Sequence, residues 1–138
     1  MGNQKKESKE ERTPKVLGIG GVFFGSNNPV ETKEWYSRNL GLEINDWGSS
    51  SFETRNIDKP DKIDSLQWAT FKNDDENFLP SKKSFMINYR VQNIEGLVRN
   101  LKDNGVTILD DISIYDYGKF VHIMDAEGNK IELWEPTD

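Results

Sequence analysis

The chain has 138 residues, with 24 acidic against 18 basic side chains and a net charge of -6. That length suits one domain with a real core, and the acidic balance argues against nucleic acid, whose phosphate backbone calls for a concentrated basic surface. There is no cysteine, which removes disulfides, thiolate metal sites and a cysteine nucleophile together.

Residues 1–13 are wholly polar and highly charged, so a disordered tail is expected there, followed by a single domain over 14–138. Leu17 to Phe24 reads as an apolar strand. Asn28 is then a helix N-cap, Pro29 fits the first helical position, and Glu31 completes a capping box. Trp35, Tyr36 and Leu40 lie at helical spacing and are expected to pack in the core, and Gly41 stops that helix. Strands are expected at Ile44 to Trp47, Ser50 to Arg55 and Leu66 to Phe71, before a polar connection from Lys72 to Lys83.

The second half repeats the first at an offset of about 65 residues, with Phe85 to Val91 as strand and Asn93 as cap. Ile94, Leu97, Val98 and Leu101 form one apolar stripe on its helix, which Gly105 ends. Strands are expected at Thr107 to Leu109, Lys119 to Met124 and Lys130 to Trp134. The loop Asp110 to Gly118, carrying Tyr115 and Tyr117, sits between the first two of these. No stretch approaches the ~20 apolar residues of a membrane span, so a soluble, cytoplasmic chain without membrane contact is expected.

The most informative stretch closes the chain. Asp125 to Asn129 holds the Gly and Asn of a tight hairpin between two alternating strands. If Met124 faces Lys130, then His122 faces Glu132, and two ionisable side chains meet on one face. Val121, Ile123, Ile131 and Leu133 form the other face, suited to helices. His122 is the only histidine of the chain. As a pair, His122 and Glu132 are the candidate catalytic residues, the carboxylate orienting the imidazole for acid-base work.

Asp125-Ala126-Glu127-Gly128-Asn129-Lys130-Ile131-Glu132-Leu133 resembles the closing signature of the vicinal oxygen chelate superfamily, with Ala126 where proline is common. That superfamily includes glyoxalases, bleomycin-resistance proteins, extradiol dioxygenases and methylmalonyl-CoA epimerases. Gly20 to Phe24, Asn28-Pro29, Trp35-Tyr36 and Leu40-Gly41-Leu42 are similar to its opening strand, helix and turn. The resemblance implies an α+β domain of two βαβββ modules, about 14–79 and 84–138, forming a cupped, mostly antiparallel eight-stranded sheet with helices on its convex side. It also implies a homodimer.

In the superfamily a divalent metal is held from the first and last strand of each module. Carried over, Glu132 matches, but Gly21 and Met86 fall on two of the positions and no carboxylate or imidazole lies near Trp68 to Thr70. No cofactor is therefore expected, since one carboxylate, even with His122, gives too few ligands for a divalent ion. Strand parity places Phe23, Trp68, Thr70, Met86, Asn88, Phe120, Met124 and Trp134 in the cup beside the pair. That lining suits a small, planar or amphipathic ligand, and a negative Glu132 favours a cationic or hydrogen-bond-donating one. The expected function is a glyoxalase/bleomycin-resistance-like binding protein without a complete metal site. The alternative is a lyase, epimerase or dioxygenase using Glu132 and His122, with or without a divalent metal.

Overall fold

A computed structural model describes Ser8 and residues 11 to 137. The chain runs β1 (Lys15–Ser26), α1 (Pro29–Leu40), β2 (Ser50–Arg55), β3 (Ile63–Lys72), β4 (Phe85–Gln92), α2 (Ile94–Asp103), β5 (Ser113–Tyr115), β6 (Gly118–Met124) and β7 (Lys130–Pro136). These seven strands of the described residues join one open sheet in the order β2-β3-β1-β4-β7-β6-β5. The pairs β1/β3 and β4/β7 are parallel and the other four antiparallel. The two halves meet inside one chain, where β1 lies antiparallel to β4.

Seven strands replace the expected eight, so the first half is βαββ and only the second is βαβββ. Residues 44–47 form no strand because Asn45 ties that segment into a turn, its Oδ1 accepting the backbone N–H of Trp47 (3.0 Å) and of Ser49 (3.1 Å). The expected strand at 107–109 shrinks to one bridge, Ile108 to Ile123. In its place β5 forms inside what reads as a loop, pairing Ser113 with Phe120.

Both helices begin where their caps dictate. Asn28 accepts the N–H of Glu31 at 3.2 Å and Asn93 that of Gly96 at 3.0 Å. Past α1, Gly41 takes the left-handed conformation at φ 71° that favours glycine. The helix α2 buries Ile94 and Val98 against Val91, Val121, Ile123 and Leu133, which together form one cluster of the core. By contrast α1 buries no residue fully. Tyr36 packs its ring 4.9 Å from Trp68 and 6.0 Å from Phe24, whereas Trp35, expected in the core, is half exposed.

Most of the expected tail lies outside the described residues. Of its described part, Arg12 and Thr13 touch the domain through their carbonyl oxygens, which accept from Asn93 Nδ2 and Gln92 Nε2. The connection between the halves carries a short 3-10 turn, Glu76–Phe78, whose Phe78 is buried with its ring 6.0 Å from that of Phe71. No helix of the described residues is long and apolar enough to cross a membrane.

Candidate functional site

The β6–β7 hairpin has the register that the sequence implies: Met124 opposite Lys130 and His122 opposite Glu132. Its loop is held by Asp125, whose Oδ1 accepts from the backbone of Glu127 (2.9 Å) and Asn129 (2.8 Å). Those bonds fix the loop length, and loop length fixes which residues face each other. His122 Nε2 lies 2.7 Å from Glu132 Oε2, and Asn88 Nδ2 donates to Glu132 Oε1 at 2.7 Å. On its other side His122 Nδ1 is 2.6 Å from Asp110 Oδ2, while Asp110 Oδ1 accepts the His122 backbone N–H at 2.8 Å. An unbroken chain Asp110–His122–Glu132–Asn88 thus links the segment before β5 to three strands, β6, β7 and β4, on the sheet face opposite the helices.

Sequence reasoning missed Asp110. The segment that delivers it runs beside β6, with Leu109 donating to the His122 carbonyl at 2.8 Å and Met124 to that of Thr107 at 3.1 Å. The signal was the short apolar run from Thr107 to Leu109, which puts the next acidic residue alongside the histidine.

Burial of His122 works against its charge, but the hydrogen bonds to Glu132 and then Asp110, with their negative charges, outweigh it and raise the pKa above 6.5. When both ring nitrogens are protonated, the imidazolium has a carboxylate to donate to on each side. The side chains of His122 and Glu132 keep 22% and 17% of their exposure, so both remain within reach of a small molecule.

Across the four central strands, Gln67, Gly21, Asn88 and Glu132 stand level with one another. Asn88, not Met86, is therefore the β4 residue beside Glu132; Met86 is level with Phe23. Gln67 Nε2 donates to Ser51 Oγ (3.0 Å) and Ser65 Oγ (2.8 Å). A divalent cation of the kind the resemblance implies would find two neutral amides, a glycine and one carboxylate in this row, with His122 engaged at both nitrogens. Those donors do not fit the ion. Among the described residues no group of three or more His, Asp or Glu side chains is placed to hold a metal.

Phe23, Met86, Asn88, Phe120, Met124 and Trp134 share the face of the pair. Trp68 and Thr70 do not. Gly21 pairs with Gln67, so one residue on, Trp68 and Thr70 point toward the helices, Trp68 stacking edge-on to Phe24 at 5.4 Å and Thr70 donating to the Phe24 carbonyl at 2.9 Å. This corrects the expected cup lining: a one-residue offset turns a whole strand over. Phe120 and Trp134 lie nearly parallel with centroids 5.9 Å apart, and Tyr117 adds its ring 5.6 Å from Phe120. Over β1 the face is tightly covered, since a Cβ at Gly20 would collide with Asn88 Oδ1 and come within 2.9 Å of the Trp134 ring. A cleft of about 580 Å³ lies elsewhere, at the end of the sheet, and neither His122 nor Glu132 lines it.

No protein-family profile matches the sequence, and no curated protein matches it. Solved structures do match. Methylmalonyl-CoA epimerase from Mycobacterium tuberculosis is 22% identical, with TM-score 0.56 over 89% of this chain and 90% of that one. The Streptomyces coelicolor methylmalonyl-CoA epimerase (E43Q), in complex with 2-nitronate-propionyl-CoA, is 15% identical with TM-score 0.61 over 90% of this chain and 100% of that one. A chain described as NAD-dependent benzaldehyde dehydrogenase from Legionella pneumophila is 15% identical with TM-score 0.55, over 85% and 98%. The fold is shared with these structures. Names as different as epimerase and dehydrogenase on one fold leave the reaction to be argued from the site.

Proposed function

We propose that this protein binds a small, planar, cationic or hydrogen-bond-donating molecule at Glu132, on the sheet face opposite the helices and without a metal. The observation that carries this reading is the fixing of both Glu132 oxygens, one by Asn88 and one by His122, in a carboxylate that stays partly exposed. A carboxylate held from two sides spends little entropy when a donor approaches its remaining lone pairs. The rings of Phe120, Trp134 and Tyr117 on the same face supply flat apolar surface beside it.

A second reading, proton transfer of the epimerase type, is favoured by the Asp110–His122–Glu132 chain together with the fold shared with epimerases. There Glu132 takes a proton and the His122 imidazolium returns it or supports the carboxylate's charge. It needs the same two residues, so binding is tested first.

Benzamidine, a planar amidinium, is a suitable probe. Its titration should move the ring signals of His122, and Glu132→Gln should weaken binding about ten- to a hundredfold while the protein stays folded, the loss of one charge-assisted hydrogen bond. Equal affinity in wild type and variant, or no response at His122 to any planar cation of a panel, would remove the binding reading.

A further inference from the structure

The cleft at the sheet end is built differently from the face just described. It is bounded by the loop between β2 and β3, the ends of β4 and β7, and Arg12, and its volume is about 580 Å³, within the range of small-molecule sites. Arg12, Arg55, Lys59, Lys62 and Arg90 all line it, in a chain whose net charge is -6.

Among the described residues the lining holds three acids, and two of them are already committed. Asp64 accepts from Asn56 Nδ2 at 2.9 Å and lies 3.4 Å from Arg90 Nη2, while Glu135 Oε1 accepts the backbone N–H of Ile94 at 3.0 Å. Both are buried, so neither turns outward to neutralise the cleft without breaking those bonds. Among the described lining residues Asp58 is the one further acid beside Arg12, Arg55 and Lys59. Arg90 Nε is buried and has no hydrogen-bond partner, an orphan donor of the kind that ligands or ordered water satisfy.

The loop is shaped in advance. Asn56 Oδ1 accepts the N–H of Asp58 (2.9 Å) and Lys59 (2.8 Å), and Arg55 Nη1 donates to the Pro60 carbonyl at 2.7 Å. Gly18 leaves space for the Arg90 guanidinium, since a Cβ there would stand 2.9 Å from its Nη2. We infer that this cleft is a binding site for a compact dianion, a phosphate ester or a dicarboxylate, independent of whatever occupies the Glu132 face. Guanidinium and ammonium groups converging from several segments recognise such charge by paired hydrogen bonds.

Calorimetric titration of the full chain at low salt tests the site, with pyrophosphate and malonate as separate probes. Arg55→Gln/Lys59→Gln is the variant of choice, because both side chains are exposed and outside the core. One anion per chain should bind, at least about tenfold more weakly in the double variant and more weakly as salt is raised. Preference for pyrophosphate would assign the site to phosphate esters and preference for malonate to carboxylates. Binding of neither probe, or equal binding by wild type and a variant with an unchanged melting temperature, would overturn the inference.

Discussion

Ile94→Ala should lower the stability of the protein by about 3 to 4 kcal/mol, the mid-range for emptying a fully packed isoleucine site. Ile94 is 0% exposed and opens α2 over Val91, Val121 and Leu133. Its backbone N–H still reaches Glu135 in the variant, so the loss isolates the cavity and the missing contacts. For a domain of this size the melting temperature should fall by roughly 10 to 15 °C. Val30→Ala, at a position 64% exposed on α1, should change stability by less than about 0.5 kcal/mol. Equal losses in the two variants would show that the core does not centre on α2.

Gly118→Ala should cost about 3 kcal/mol or more, from left-handed strain and overpacking together. The residue opens β6 at φ 137°, and a Cβ there would stand 2.5 Å from the Glu135 carbonyl oxygen and 2.5 Å from Trp134 Nε1. The carbonyl belongs to the partner strand, so relief requires shifting β6 against β7. The same shift would disturb the bond from Trp134 Nε1 to the Tyr117 carbonyl and the Phe120–Trp134 ring pair. Urea unfolding measures the loss; a midpoint within error of wild type would contradict the tight turn.

The parts of this structure set by neighbours in sequence were legible in advance. The hairpin register follows from Asp125 to Asn129 alone, and both helix starts follow from Asn28 and Asn93. The parity of β3 was not legible, because apolar residues occupy both of its faces: Leu66 and Trp68 on one, Ala69 and Phe71 on the other. Alternation could not say which side met the helices, and only the pairing of Gly21 with Gln67 decides it. Trp47 shows the same limit from the other direction. Its apolar side chain suggested a strand, but local bonds from Asn45 hold the segment in a turn and leave Trp47 91% exposed. Of the site, the His122–Glu132 pair could be read from one hairpin, whereas Asn88 and Asp110 come from segments 44 and 22 positions before Glu132 and needed the assembled sheet.

Glu132 and Asp110 flank His122 on a partly exposed face and together favour its imidazolium form. The native pKa is raised above 6.5, so the stabilisation this histidine provides is complete below 6.5 and is lost as pH rises through the higher native value. With only one histidine in the chain, its ring signals are unambiguous. An NMR pH titration of those signals, in wild type and in Glu132→Gln, is the most direct test. The midpoint should lie above 6.5 and fall in the variant; a wild-type midpoint at or below 6.5, indifferent to Glu132, would show that the two carboxylates do not hold the charged ring.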